Sequence, residues 1–394
     1  MIYLDYNATT PLCEPARNEM LPFLGETFGN PSSVHAAGRE ARAAIDDSRD
    51  RLAHLLGAKP HELIFTSGGT EANNLAILGL ARSQAGRGNH LISCPTEHHA
   101  VLHAIEHLQK CAGYEVTWLK VGKSGLIDLN ELAAAIRKDT VLVSIMHANN
   151  ETGVIQPLRQ ISEICRARGA LLHSDLVQSF AKTATDLTLV DAASFAAHKF
   201  YGPKGAGLLF LRSGIAIEPI NFGGAHENQR RPGTENVAGI VGMAKAAEFV
   251  ESDRESEQER QRTLRDLLWK QIAREIPSAV ANGDAADRLA NTLNLSLPSL
   301  DSETMLMALD LEGVCASSGS ACMVGSVVAS HVLLAMGLGP ERAKSAIRFS
   351  LGKFTSRNEI VTAAEIVSHI VQRTNAKRIE KTERITVKPT RVLL

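Results

Sequence analysis

The chain has 394 residues, 44% of them hydrophobic and 22% charged, which is the composition of an ordinary globular protein with room for two or three domains. Its 42 Lys and Arg nearly cancel 43 Asp and Glu, which removes the global charge argument for nucleic acid or an anionic membrane as the main partner. No apolar run approaches the roughly 20 residues that span a bilayer, and Met1-Ile2-Tyr3-Leu4-Asp5 lacks the basic and apolar regions of a secretory signal, so a cytoplasmic protein is expected.

From about residue 60 to 212, short apolar runs alternate with helix-like stretches. Leu63-Ile64-Phe65-Thr66 reads as a strand and Glu71–Leu80 as a helix. Leu91–Cys94 is the next strand, followed by a helix from about His98 to Lys110. Further strands are expected at Glu115–Leu119, Val141–Met146, Ala170–His173 and Gly207–Leu211. Continuous apolar runs suit strands buried on both faces, and helical crossovers imply a mostly parallel sheet, hence an α/β domain.

After about Val250 the composition changes. Glu251–Arg262 is dense in charge and reads as a solvated helix face. The remainder looks α+β, with strands at Asn294–Leu297 and Ile347–Ser350 and helices at Ser302–Leu311 and Glu359–Val371. From Thr374 to Leu394 six basic and two acidic residues read as a loose tail.

The six cysteines, at 13, 94, 111, 165, 315 and 322, form no C-x-x-C pair, so no zinc ribbon or thioredoxin motif is indicated. Cys322 stands apart, because it follows the small residues Ser317-Ser318-Gly319-Ser320-Ala321, which keep a thiol accessible. A packed core position suits the other five better.

Three features carry chemistry. In Phe65-Thr66-Ser67-Gly68-Gly69-Thr70-Glu71 a strand runs through a glycine pair into a helix start. That geometry suits an anion, and equally an ordinary capped helix. In His173-Ser174-Asp175, followed by Gln178, an acid ends an apolar strand, where ligands of α/β sheets gather; capping the next helix is the competing role. In Phe195-Ala196-Ala197-His198-Lys199 a lysine sits among apolar residues, a setting that lowers an amine pKa and favours Schiff-base chemistry. Together, an anion cradle, a buried Asp and such a Lys are the parts that hold pyridoxal phosphate (PLP).

On these motifs the sequence resembles cysteine desulfurases of the NifS/IscS type, within the class V aminotransferase group. The likeness runs from YLDYNATTP (3–11) and GNPSS (29–33) through TSGGTEANN (66–74), TEHHAV (96–101), MHANNETG (146–153), AHKFYGPKG (197–205) and RRPGTEN (230–236) to SSGSAC (317–322) and IRFSLGKFT (347–355). It implies the fold type I of PLP enzymes: a large α/β domain over 12–255 with a mostly parallel seven-stranded sheet, and a small α+β domain from 1–11 and 256–394. It implies that Lys199 bonds the cofactor, that Asp175 partners its ring nitrogen, and that His98 stacks on the ring and moves protons. Gln178 and Asn150 match positions near its phenolic oxygen and the substrate. Gly69, Thr70 and His198 match phosphate-binding positions, and Thr234 one that reaches the neighbouring subunit's phosphate, which implies a homodimer. Arg348 matches the arginine that holds the substrate carboxylate, and Cys322 the thiol that takes sulfur from L-cysteine as a persulfide. The persulfide would pass to an acceptor protein, such as an iron–sulfur scaffold, and the basic C-terminal stretch is a candidate docking element. No metal is expected; His99, His103 and His107 share a helix face but have no carboxylate companion.

Two departures stand out. Ala196 replaces a usual Ser or Thr, removing one phosphate hydroxyl unless Ser194 or water compensates. Ser326-Val327-Val328-Ala329-Ser330 replaces a usual Ser-x-Glu-Pro-Ser, which bears on acceptor docking rather than on the chemistry. Two alternatives stay open: another PLP enzyme of this fold, such as a selenocysteine lyase or aminotransferase, and a non-catalytic scaffold.

Overall fold

A computed structural model describes residues 1–284, 286–297, 300–318 and 329–386, with side chains as far as Thr374. Cys322 therefore lies outside the described residues, as do positions 387–394. Twelve strands occur among the described residues, in chain order: β1 Ile2–Tyr3, β2 Leu63–Thr66, β3 His90–Ser93, β4 Glu115–Trp118, β5 Thr140–Ser144, β6 Leu171–Asp175, β7 Ala192–Ala196, β8 Gly207–Leu211, β9 Val280–Ala281, β10 Thr292–Ser296, β11 Val314–Cys315 and β12 Ala346–Ser350.

Seven of them form one sheet in the order β2-β8-β7-β6-β5-β3-β4. β8 runs antiparallel to both its neighbours, and every other pairing is parallel. Every residue of β2, β3, β5, β7 and β8 is buried, the signature of strands covered on both faces. One apolar core fills the face that carries Phe65, Val143, Phe195 and Phe210, and another packs Leu75, Ile77, Leu80, Val101, Ile105 and Leu108 onto the opposite face.

A separate core gathers Leu4, Leu264, Leu268, Leu295, Phe349, Ile360 and Val367. Its framework is the antiparallel sheet β12-β10-β9, flanked by the helices Arg254–Glu275 and Arg357–Thr386. The N-terminal segment closes onto this part: β1 pairs parallel with β11, and Asp5 bridges Ser350. The loose tail expected from Thr374 is corrected as far as Thr386, where the backbone continues the preceding helix. Good helix formers (Ala, Lys, Arg, Glu) fill that stretch, and no Pro or Gly interrupts it before Pro389.

Two further expectations are corrected. The helix expected at Glu71–Leu80 begins at Gly69 and is not regular, since Leu75–Gly79 forms a π turn before Leu80–Ser83 resumes the α form. Gly79 explains the tolerance there: a Cβ on it would lie 2.5 Å from the Glu218 carbonyl, so only glycine lets that segment pass. Of the thiols placed as core, Cys13, Cys94 and Cys165 are buried, Cys315 is half-buried in β11, and Cys111 is exposed at the end of its helix. Among the described residues no helix is long and apolar enough to cross a membrane.

Candidate active site

β8 is antiparallel to both β2 and β7, so β2 points the same way as β7 and as β3, β5 and β6. The carboxyl ends of these five strands therefore share one edge, and each delivers a residue to it. Gly69 follows β2, His98 follows β3, Asn150 follows β5, Asp175 ends β6, and Lys199 follows β7. Arg348 reaches the same place from β12.

A cavity of about 440 Å³ lies at this edge. Of the residues singled out in the sequence, Gly69, Thr70, His98, Asn150, Asp175, Gln178, His198, Lys199 and Arg348 all line it. Asn7, Ala8, Asn73 and Ala196 line it too. Thr234 does not: it is exposed and lines a separate surface depression with Arg42, His226 and Glu235.

Lys199 leaves β7 on a short 3-10 turn, Ala197–Lys199. Edge-to-face contacts of Phe180 with Phe195 and Phe200, at 5.4 and 4.8 Å between centroids, brace that turn. Lys199 Nζ donates to the carbonyls of Asn7 (2.8 Å) and Ala8 (2.7 Å). Asp175 accepts from Asn73 Nδ2 at 2.7 Å and from the Val177 N–H at 2.8 Å.

His98 caps the helix His99–Cys111, its Nδ1 accepting from the Ala100 N–H at 3.1 Å. With Nδ1 as acceptor, the neutral ring carries its proton on Nε2. Burial, helped by Lys199, His99 and His331, holds its pKa below the ordinary value against the pull of Asp175. Burial and the Lys199, Lys204 and Lys182 cations pull His198 down to about 4, so that ring is neutral at pH 7. Its Nδ1 pairs with Thr9 Oγ1 at 3.2 Å.

Arg348 is almost fully buried. Its Nη2 pairs with Asp5 Oδ1 at 2.6 Å and its Nη1 donates to the Asn150 carbonyl at 2.9 Å. Among the described residues its buried Nε has no hydrogen-bond partner. A buried guanidinium with a spare donor on a cavity wall is suited to bind a carboxylate.

These residues fit PLP. An alanine Cβ at Gly69 would lie 2.8 Å from Val177 Cγ2, so the missing side chain keeps the helix start close to the cavity wall. An amine, a carboxylate and neutral imidazoles surround one space of suitable volume.

Ala196 offers no hydroxyl, and Ser194 does not replace it: its Oγ is fully buried and bonded to His173 Nε2 at 3.0 Å. Ala196→Ser should therefore tighten PLP binding roughly tenfold, the worth of one charge-assisted hydrogen bond of about 1.5 kcal/mol. Reconstitution of the apoprotein with PLP, followed by absorbance, measures it; equal affinity would show that the hydroxyl finds no phosphate.

Comparison with known proteins confirms the architecture. The class-V aminotransferase family matches residues 2–362. The cysteine desulfurase IscS of Dictyoglomus turgidum is 45% identical over 374 residues, spanning 94% of this chain and 95% of that one. The chain belongs to this family. Its fold also matches a solved NifS-like protein with a TM-score of 0.89 at 35% identity, covering 94% of this chain and 99% of that one. A structure titled SspA in complex with cysteine matches at 0.80 and 33% identity, covering 90% and 100%. Class V desulfurases are PLP-dependent, in agreement with the residues gathered here.

Sequence reasoning missed Asn7, Asn73 and Lys182 as individual site residues, although Asn7 and Asn73 lie inside two of the motifs that carried the resemblance. It also missed two buried carboxyls. Glu97, behind His98, is pushed up to about 8, chiefly by burial and further by Asp175, although the Met146 N–H and Cys94 bond it. Glu151 is pushed up to about 7, again by burial, and accepts from Ser330 Oγ at 2.5 Å. Among the described residues no three His, Cys, Asp or Glu side chains gather as a metal site; His99 instead stacks on His103 and contacts His331.

The raised pKa of Glu97 has a sign. The native state holds this proton more tightly than the unfolded chain, so stability falls as pH climbs from about 4.5 to about 8. Glu97→Gln should leave stability at pH 5 nearly unchanged and raise it at pH 8.5 by about 1–3 kcal/mol. Urea unfolding at both pH values checks this; an equal gain at both would mean that Glu97 does not titrate in this window.

Proposed function

We propose that the protein is a cysteine desulfurase that converts L-cysteine to L-alanine and passes the sulfur, as a Cys322 persulfide, to an acceptor protein. The observation that carries this is the convergence of Lys199, Asp175, His98 and Arg348 on one cavity in a chain 45% identical to an IscS. Bound PLP supplies an electron sink that weakens the Cα–H and C–S bonds of the substrate.

Lys199 would hold the cofactor, and its amine, when free, would handle the Cα proton. Asp175 would keep the ring nitrogen protonated, and Asn73 and the Val177 N–H fix the orientation of its carboxylate. Neutral His98, held by its cap bond, would cover the ring and carry a proton at Nε2. Arg348 pairs with the substrate carboxylate, which competes with Asp5 for the guanidinium. Thiolate attack by Cys322 on the substrate sulfur forms an S–S bond as the C–S bond breaks. The electron pair stays on carbon, which takes up a proton and becomes the alanine methyl group.

The flanks of the Cys322 segment support this role. Ser317 forms a bridge with Arg348, and Ser330 Oγ bonds Glu151, so both flanks attach to residues at or beside the cavity. Cys322 is five positions along the chain from Ser317, a reach of at most about 18 Å. The buried thiols are poor competitors: burial raises Cys94 well above its ordinary pKa and Cys165 to about 12.

The separate core around Leu4, Leu295 and Phe349 supports a division into a large unit over 12–255 and a small one from 1–11 and 256–394. Homodimerisation accords with Thr234, which is exposed outside its own cavity and free to complete a partner's phosphate site. An iron–sulfur scaffold is the proposed acceptor, in a cytoplasmic setting. The test is a joint assay of alanine and sulfide from L-cysteine with a thiol reductant. Equal yields support the reading; keto-acid formation without sulfide would favour an aminotransferase.

A further inference from the structure

Lys182 is the least expected charge near the site. It lies behind Lys199, on the wall of a separate interior cavity of about 30 Å³ lined by both lysines, and not on the wall of the main cavity. It therefore does not touch what the main cavity holds. Its Nζ donates to Gln178 Oε1 at 2.8 Å and to Asn7 Oδ1 at 2.9 Å. Burial, with Lys199 and Arg348 as cationic neighbours, pulls its pKa well below the ordinary lysine value. Tyr6, Tyr201, Arg254, Glu257 and Lys353 share the wall of the small cavity, and His98, Asp175 and His198 are titratable groups on the wall of the main one.

The residue before it, Ala181, adopts φ 63°. A left-handed conformation at a non-glycine residue is uncommon, and surrounding structure must hold it. That backbone turn places Lys182 under Gln178 and Asn7.

The two acceptors matter because an amide has two faces. A lysine amine donates, so it selects the oxygen of each amide and turns the NH2 away. Asn7 Nδ2 then donates to Thr292 Oγ1 (2.9 Å) and to the Asn150 carbonyl (3.2 Å), which also accepts from Arg348. Gln178 Nε2 spends one hydrogen on the Asn7 carbonyl at 2.9 Å, and its second remains for the cavity it lines.

We propose that Lys182 is a positioning residue of the cofactor site, which locks the Gln178 amide with its NH2 toward the cavity and so keeps a hydrogen-bond donor aimed at the phenolic oxygen of PLP. This rests on the PLP reading above. A donor at that oxygen stabilises its anionic form and lowers the proton affinity of the cofactor's bond to Lys199. Removing Lys182 takes away the hold on the amide oxygen and leaves the amide anchored through its bond to the Asn7 carbonyl, which loosens the donor and raises that affinity.

The experiment is a pH titration of the visible band of purified holoenzyme, with PLP content measured separately by alkaline release. Lys182→Met, loaded with PLP, should show its midpoint raised by about one unit, a tenfold change in proton affinity. Gln178→Leu should show a similar rise, and the double variant no further rise, because one acts through the other. Lys182→Arg keeps the donors and should return the midpoint close to the wild-type value, which also covers a Met variant that fails to fold. An unchanged midpoint in fully loaded Lys182→Met, additive shifts in the double variant, or a Lys182→Arg midpoint displaced like that of Met would each overturn the proposal. A wild type without a visible band would instead sink the PLP reading itself.

Discussion

Lys199→Ala should lower alanine and sulfide production together by about 10⁴-fold, the upper range for removing one acid–base group. Two losses combine on the proposed roles: the covalent hold on PLP, and the proton-handling amine of the cavity. The visible band of the holoenzyme should give way to that of the free aldehyde, and dialysis should strip the cofactor. The fold should survive, because Lys199 Nζ bonds two backbone carbonyls at the cavity edge while the Phe180, Phe195 and Phe200 rings brace the turn from the other side. A variant that keeps the band and a tenth of the activity would move the covalent role elsewhere. Among the described residues Lys182 is the only other lysine bonded to Asn7, and it is tied to Gln178 away from the main cavity.

Cys322→Ala should lower sulfide release by at least about 10³-fold while leaving PLP content and its spectrum intact. The difference from Lys199→Ala is diagnostic, since the Cys substitution leaves untouched the residues proposed to bind cofactor and substrate. Arg348 should still bind cysteine, so its addition should still perturb the visible band. Full sulfide release from the variant would remove the persulfide step and favour a lyase that expels sulfur directly. Cys111 is then the control thiol, exposed at the end of its helix, and Cys111→Ala should change nothing.

The sheet was readable in the sequence because burial on both faces writes itself as continuous apolar runs. Leu63–Thr66 and Gly207–Leu211 form strands over the same residues that were expected. Strand direction was not readable: β7 and β8 are joined by ten residues that hold Lys199, and nothing in their composition separates a return from a crossover. The π turn at Leu75–Gly79 escaped for a similar reason, since one widened turn barely alters a helical apolar pattern.

The site was readable where a motif sits beside its own strand end, as for Asp175 and Lys199. It was not readable where contact is made at long range. Asn7 meets Gln178, Thr292 and Asn291 across sequence separations of 171 to 285 residues, and only its bonding shows it to be the junction of the cavity. Glu97 sits inside a quoted motif, but its raised pKa depends on complete burial against Asp175, which no local pattern displays.

Asn7 also sets an order of events during synthesis. Its N–H is bonded to Ser350 Oγ, 343 residues later, and Leu4 lies in the same core as Phe349 and Val367. The large sheet, whose last strand ends at Leu211, has all its strands long before that partner leaves the ribosome. The wall of the cavity that Asn7 supplies must wait. A nascent chain can thus assemble the shelf that bears Lys199 and Asp175 while one side stays open to solvent. Tight retention of the cofactor is then a property of the finished chain, and truncations before residue 350 should display a folded sheet that loses PLP on dilution.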